Sequence, residues 1–209
     1  MELRLPREAS GPIAFVGGEA NLVRAVRERQ PAAIAAFYDR YAARVRRILG
    51  RILGSDQELS DIHHDTFEKA LLSIDNLRDP SRLTAWITSV AVLTAWAHLQ
   101  RKSRRRWLVF APPEDMEAVP DHAGADAEKS EAVRATYRVL DRMPPEERVV
   151  FTLRFIEGMI LDEVAEASGV SLATAKRRLA KAGKRFAALA QAEPALVPWL
   201  SEGARWNES

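Results

Sequence analysis

Apolar residues recur at spacings of three and four along almost the whole chain, and this periodicity restricts the fold more than any other feature. The clearest example occupies one helix face over about five turns and consists of Ile34, Phe37, Tyr38, Tyr41, Val45, Ile48, Leu49 and Ile52. The alternation of apolar and polar residues that predicts a half-buried β-strand never extends beyond a few residues. The sequence therefore predicts an all-α protein.

Length and composition restrict the class of protein further. The chain has 209 residues, enough for one large domain or two small ones. It contains no cysteine, which excludes disulfides and thiolate metal sites and favours a reducing, cytoplasmic location. No apolar run approaches the roughly 18 residues that a membrane span needs, and the run at 13–16 is too short for a signal peptide. We therefore expect a cytoplasmic protein without membrane insertion.

The charged residues are strongly segregated, although the net charge is only +2. In residues 83–110 the only charged side chains are Arg101, Lys102, Arg104, Arg105 and Arg106. In residues 167–190 the only ones are Lys176, Arg177, Arg178, Lys181, Lys184 and Arg185. Residues 114–131 lie between these segments, and their charged side chains are all acidic except for that of Lys129. Two basic segments on either side of an acidic connector indicate two separate contacts with a polyanion.

We expect two small helical domains joined by an acidic flexible linker. The predicted divisions are a tail at 1–18, an N-terminal domain at 19–108, a linker at 109–130, a C-terminal domain at 131–190 and a second tail at 191–209. Prolines, small residues and acidic residues predict the linker. When extended it would reach about 80 Å, so the two domains could occupy distant sites. The second tail has no pattern that assigns it a role.

Three helices are predicted in the N-terminal domain. The first has Pro31 in its first turn and ends at Gly54, and Ser55 with Glu58 has capping-box spacing for the second. The buried residues of the second are Leu59, Ile62, Phe67, Ala70, Leu71 and Ile74. The third, at 81–105, has a core face with Leu83, Trp86, Ile87, Val90, Leu93 and Ala97. Its second apolar face, with Val92, Trp96 and Leu99, is either sandwiched in the core or meets a partner.

The C-terminal domain opens with two predicted helices. The apolar residues Val133, Tyr137 and Leu140 predict the first, which ends near Met143. The second follows the Pro144–Pro145 stop and ends at Gly158.

Residues 161–189 have the pattern of a helix-turn-helix. After a short first helix, Gly169 supplies the turn and Ser171 caps a second helix. One face of this second helix is apolar, with Leu172, Ala175, Leu179, Ala182 and Phe186. The other face carries Thr174, Arg177, Arg178, Lys181 and Arg185, with Lys176 at its flank. A packing face opposite a cationic face is what a recognition helix in the DNA major groove requires.

Several segments resemble the sigma factors of the extracytoplasmic-function group, and they follow one another along the chain in the order that this family has. In the C-terminal half they are LDRMPPEER at 140–148, EG at 157–158, DEVA at 162–165, GVS at 169–171 and TAKRRL at 174–179. In the N-terminal half they are FYDRY at 37–41, DIHHDTF at 61–67 and AWI at 85–87. The likeness covers about residues 22–189, and its order along the chain is more specific than any single motif.

The resemblance implies a factor for transcription initiation that binds core RNA polymerase and promoter DNA, with no cofactor and no catalytic activity. It implies that the helix carrying Asp61, His64, Asp65 and Phe67 docks on the polymerase clamp. The long helix would engage and open the downstream promoter element through Trp86, Trp96, Arg101, Lys102, Arg104, Arg105 and Arg106. The helix-turn-helix would read the upstream element through Thr174, Lys176, Arg177, Arg178, Lys181 and Arg185. The resemblance leaves an anti-sigma partner open.

The sequence departs from the family pattern at three places. His64 stands where the family usually has glutamine, and Ile160 replaces the customary hydroxyl residue before the helix-turn-helix. In the long helix, the usual polar and basic positions hold Ser89, Val92, Leu93 and Ala97. We therefore expect upstream reading to be retained and downstream base reading to be poor.

Two other functions remain open from the residues alone. Asp61, His64, Asp65 and Glu68 share one helix face and could supply metal ligands for a hydrolase, although no second cluster completes such a site. The chain could also be a stand-alone helix-turn-helix regulator that never associates with polymerase. Co-purification with core RNA polymerase separates the sigma interpretation from both.

Overall fold

The computed structural model describes residues 18–54, 57–109 and 127–198, and the side chains of 18–54, 57–105 and 131–198. Its α-helices are α1 Glu19–Arg27, α2 Pro31–Leu53, α3 Leu59–Ser73, α4 Leu83–Val109, α5 Ala127–Asp141, α6 Pro145–Phe151, α7 Leu161–Ala167 and α8 Leu172–Ala190. Short 3-10 turns lie at Ile74–Asn76, Pro80–Arg82 and Pro194–Leu196, and a π-helical turn at Thr152–Ile156 extends α6. These residues contain no β-strand, in agreement with the all-α prediction. None of the described helices is long and apolar enough to cross a membrane.

The N-terminal domain consists of α1 to α4, in which α2, α3 and α4 pack against one another and α1 covers α2. Phe37 of α2 meets Phe67 of α3 edge to face, with ring centroids 5.7 Å apart. The predicted first helix is α2, which ends as expected before Gly54. The predicted cap Ser55 lies outside the described residues, and α3 begins at Leu59.

Both apolar faces of α4 are covered, so the helix is sandwiched. Ile87 and Val92, which stand on the two faces, are both fully buried. The prediction that Leu93 belongs to the core face was wrong, because its side chain is 40% exposed. Leu93 lies at the edge of the covered surface, where its Cδ2 would be 3.8 Å from a β-carbon at Gly169.

The C-terminal domain consists of α5 to α8, and its core includes a stacked pair formed by Phe151 and Phe186, with ring centroids 4.4 Å apart. Leu172, predicted on the packing face of the recognition helix, is 37% exposed, and Val133, one of the apolar residues that predicted α5, is 45% exposed. Leu172 is the first residue of α8, at the end of its packing face.

The domain edges differ from the predicted ones in two ways. Helix α5 begins at Ala127, so the last residues of the predicted linker at 109–130 are helical. Part of the predicted tail at 191–209 belongs to the domain, because Leu196 is 5% exposed and its 3-10 turn packs against α5. Arg138 of α5 also bonds Glu193, with its Nη2 2.9 Å from Oε2.

The two domains pack against each other, with α6 and α7 lying on α4. Arg148 of α6 is 3% exposed and donates to the carbonyls of Ile52 and Leu53, the last residues of α2. Those carbonyls have no partner within α2. The linker length allows the two domains to occupy distant sites, and in this structure they are in contact.

Candidate nucleic-acid interface

The helix-turn-helix is formed by α7, a tight turn and α8. Gly169 adopts a φ of 64° in the turn, a conformation that glycine adopts without steric cost. The Ser171 hydroxyl then accepts a hydrogen bond from the Thr174 amide at 3.3 Å and caps α8. The predicted turn and cap are therefore both present.

Helix α8 has a packing face and a cationic face. The buried residues are Ala175, Leu179, Ala182, Gly183, Phe186 and Ala190. On the opposite side Arg177 and Lys181 are exposed, and Lys176 is exposed at the flank. Among the described residues, no salt bridge engages these three side chains. Their charges therefore face solvent, where a polyanion can bind them.

Of the other predicted residues of α8, Arg185 and Thr174 have partners inside the protein. Arg185 donates to the carboxylate of Glu147, with Nε 2.6 Å from Oε2, and this hydrogen bond raises the pKa of its guanidinium. The Thr174 hydroxyl accepts a hydrogen bond from Ser171 at 3.0 Å and so belongs to the cap. Arg178 is half-buried and lines a cavity between the two domains.

Lys184 was not among the predicted DNA contacts, yet its side chain is exposed on the same side of α8. It lies seven residues after Arg177 and three after Lys181, which places the three on one helix face. This periodicity was available in the sequence and could have identified Lys184.

The long helix α4 presents its predicted residues in two different environments. At its C-terminal end Arg101, Arg104 and Arg105 are exposed and Lys102 is half-buried. Trp86 and Trp96 are half-buried and pack against the core. The side chain of Arg106 lies outside the described side chains.

The acidic face of α3 is accessible along its length. Asp61, His64 and Glu68 are exposed and Asp65 is half-buried. Phe67 was also predicted to bind polymerase, but it is only 1% exposed and packs on Phe37. It therefore attaches α3 to α2 within the core and does not reach a partner. No group of three His, Asp or Glu residues that could hold a metal ion occurs in the described residues.

His63 points from α3 into the core, next to exposed His64. Its Nε2 lies 3.1 Å from the carbonyl oxygen of Ala42, and its ring meets Phe67 at 5.3 Å. Burial lowers the pKa of His63 below its ordinary value, although the bond to Ala42 acts in the opposite direction. A neutral, structural histidine therefore stands beside the proposed polymerase surface.

Two family matches divide the chain as the structure does. Residues 37–105 match the family Sigma-70 region 2, and residues 134–186 match the family Sigma-70, region 4. The first match runs from within α2 to near the end of α4, and the second runs from within α5 to within α8.

Relatives of comparable length are also found. The RNA polymerase sigma-H factor of Pseudomonas aeruginosa is 27% identical over 88% of this chain and 96% of its own. The ECF RNA polymerase sigma-E factor of Haemophilus influenzae is 25% identical over 77% of this chain and 89% of its own.

Solved structures show the same fold. CnrH in complex with the cytosolic domain of CnrY has a TM-score of 0.55 and 21% identity, over 84% of this chain and 98% of that one. The sigma factor RpoE of Bartonella quintana, in complex with the anti-sigma factor NepR, has a TM-score of 0.57 and 17% identity, over 75% and 95%. The two family matches together cover more than half of the chain, and with these relatives they identify it as a member of the sigma-70 family, in its extracytoplasmic-function group.

Proposed function

We propose that this chain binds core RNA polymerase and directs it to promoters, with α3 as the polymerase surface, α8 as the reader of the upstream element and α4 as the contact to the opened downstream element. The observation that carries the proposal is the two-faced α8. Its apolar face is buried, whereas Lys176, Arg177 and Lys181 face solvent without a salt bridge in the described part of the chain. Membership of the sigma-70 family supports the same function.

In this proposal the first half of α8 enters the major groove. Lysine and arginine can bond guanine edges or phosphates, and only the edge contacts discriminate between sequences. Arg177 is the strongest candidate for an edge contact, because it lies opposite the buried Leu179 and Ala182 face near the start of the helix. Arg185 contributes less, since Glu147 already holds its guanidinium.

The α3 surface binds polymerase through charge. Asp61, His64 and Glu68 lie at spacings of three and four and are all exposed, so they form one continuous face. The buried Phe67 fixes this face relative to α2, which keeps the acidic side chains in a constant position.

The α4 contact should tolerate many sequences. Unpaired bases are held by aromatic stacking, hydrogen-bonding groups and positive charge. Here α4 has Trp96 and the exposed Arg101, Arg104 and Arg105, but apolar side chains at Leu93 and Ala97. Stacking accepts any base, so strand opening is retained while selectivity for the downstream element is weak.

Run-off transcription with reconstituted polymerase tests this function. The upstream and downstream promoter elements are randomised separately in otherwise identical templates. We expect randomisation of the upstream element to abolish initiation and randomisation of the downstream element to reduce it only slightly. Equal loss from both would contradict the weak downstream selectivity. Failure to co-purify with core polymerase would instead favour a stand-alone DNA-binding regulator.

A further inference from the structure

Leu72 of α3 is the most exposed large apolar side chain in the part of the chain that the structure describes, at 66%. Its neighbour Leu71 is 5% exposed and belongs to the core, as the periodicity of α3 requires. The Leu72 side chain lies outside this core. Packing within the chain therefore does not account for a leucine at this position.

The position of Leu72 along α3 places it on the acidic face of that helix. It follows Glu68 by four residues and Asp61 by eleven, and eleven residues make about three turns. Viewed along the helix axis, at about 100° per residue, Leu72 stands about 20° from Asp61, between Glu68 and Asp65. The acidic face therefore includes an exposed apolar side chain at its C-terminal end.

We propose that Leu72 is an apolar anchor in the contact between α3 and core RNA polymerase, bound in an apolar pocket that basic residues border. The inference rests on the proposed function of α3 and adds an apolar contact to one argued from charge. Exposed ion pairs contribute little to affinity, because water and salt screen them. Most of the affinity of an interface comes from a few side chains that become fully buried, with polar residues around them.

The charges around Leu72 favour a basic protein surface over two other occupants. Promoter DNA is disfavoured, because its phosphates would face Asp61, Asp65 and Glu68. A second copy of the chain is disfavoured too, since a two-fold interface repeats one patch on both subunits and would place these carboxylates against each other. A basic pocket on polymerase meets neither objection.

Two arginines at the end of α1 hold the backbone on either side of Leu72. Nη1 of Arg29 lies 2.6 Å from the carbonyl oxygen of Leu71, and Nη2 of Arg27 lies 3.5 Å from that of Ile74. The last carbonyls of a helix form the negative end of its dipole, where a cation is stabilising. Because α3 has no basic residue in its own last turn, α1 supplies the cations.

Arg29 also has an uncommon backbone conformation. Its φ is 59°, and among the described residues it is the one residue other than glycine with a positive φ. This conformation is unfavourable for a residue with a β-carbon, and the hydrogen bond to Leu71 opposes that cost. The backbone at Leu72 is therefore ordered before polymerase binds, so less conformational entropy is lost on binding.

Leu72→Ala tests the anchor in the full-length chain. We expect about a tenfold rise in the Kd for core polymerase, measured by titration at low and at high salt. The rise should be equal at both salt concentrations, because an apolar contact is not screened. The effect of Asp61→Lys should instead shrink at high salt.

Two control variants and one stability measurement accompany Leu72→Ala. Leu72→Met has a similar apolar volume and should keep the wild-type Kd. Val133→Ala removes apolar atoms from an exposed position on α5 and should also keep it. Urea unfolding should give Leu72→Ala the wild-type stability, since the side chain is exposed in the free protein.

The outcomes separate the anchor from the proposed function. If Leu72→Ala keeps the wild-type Kd while Asp61→Lys raises it, the anchor is wrong and the polymerase surface on α3 stands. An effect of Leu72→Ala that disappears at high salt would also overturn the anchor. If the wild type does not bind core polymerase, the proposed function fails and the anchor fails with it. A dimer of the free chain, detected by light scattering and dissociated by Leu72→Ala, would overturn the anchor in favour of self-association.

Arg29→Gly tests the positioning of Leu72 by α1. Glycine adopts a positive φ without steric cost, so this substitution removes the bond to the Leu71 carbonyl and adds no backbone strain. We expect the Kd for polymerase to rise, and Leu72→Ala to raise it by a smaller factor in this background than in the wild type. Arg29→Lys keeps a cation near the end of α3 and should lose less affinity than Arg29→Gly. Independent effects of Arg29→Gly and Leu72→Ala, whose factors simply multiply, would contradict the positioning.

Discussion

The ring of Tyr137 in α5 lies so close to Gly54, at the end of α2, that a β-carbon on Gly54 would be 2.9 Å from its Cδ1. The Tyr137 hydroxyl also donates to the carbonyl of Arg51 at 3.3 Å. Gly54 has a φ of 71° and a ψ of −143°, a combination almost confined to glycine. One glycine thus both ends α2 and permits the second domain to approach.

Gly54→Ala should therefore destabilise the protein. The backbone strain alone costs about 1–3 kcal/mol, and the contact with Tyr137 adds to it. Urea unfolding followed by circular dichroism measures the change. The control is Gly50→Ala, within α2 and with no atom within 4 Å of the added β-carbon. We expect this control to raise the free energy of unfolding by up to about 1 kcal/mol. An equal change in the free energy of unfolding for the two variants would contradict the close approach of Tyr137 to Gly54.

Arg177→Ala should weaken binding of the polymerase complex to the upstream element. A lost base-edge contact costs roughly 1–3 kcal/mol and relaxes selectivity at one position, whereas a lost phosphate contact weakens all sequences and lowers the salt slope by about one. The affinity for DNA, measured by fluorescence anisotropy across a salt series, distinguishes a lost base-edge contact from a lost phosphate contact. Arg134→Ala removes the same charge from α5 and not from α8, and this variant should bind nearly normally. Unchanged affinity for Arg177→Ala at every salt concentration would remove α8 from the interface.

Asp61→Lys should reduce association with core polymerase. The substitution places a cation in the exposed acidic face of α3, so we expect at least about a tenfold rise in Kd, or about 1.4 kcal/mol. Pull-down with core enzyme measures it, and circular dichroism verifies the helix content. Glu28→Lys, at the exposed residue that follows α1, makes the same charge change elsewhere and should retain binding. A folded Asp61→Lys protein with full polymerase affinity would exclude the α3 surface.

His63 should make stability sensitive to mild acid. Burial lowers its pKa below the ordinary value of 6.5, so below that pH the unfolded chain takes up the proton first. This contribution to the free energy of unfolding is present above pH 6.5 and is lost as the pH falls through the folded-state pKa. Urea unfolding between pH 7.5 and 5.5 measures it.

His63→Gln keeps a donor for the Ala42 carbonyl and should flatten this pH dependence. His64→Gln, at the exposed neighbouring position, should leave it as steep as in the wild type. If His63→Gln loses as much stability in acid as the wild type, another group is responsible.

Helix positions and the two-faced α8 were predictable because they depend on local order along the chain. The spacing of Ala175, Leu179 and Phe186 defines one face of any helix that forms there, and Gly169 with Ser171 supplies turn and cap chemistry within a few residues. The same locality allowed the acidic face of α3 to be recognised. The exposure of Leu172 was missed because periodicity does not tell where the covering partner ends.

Contacts between distant residues were decided by tertiary packing alone. No local pattern connects Arg148 with the carbonyls of Ile52 and Leu53, or Glu157 with Arg47, because about a hundred residues separate the partners. The sequence left open whether the Val92 and Trp96 face of α4 was buried or met a partner, since both fates require the same apolar side chains. The spacing of apolar residues predicts which side chains are buried. Only the folded arrangement of the two domains determines which residues cover them.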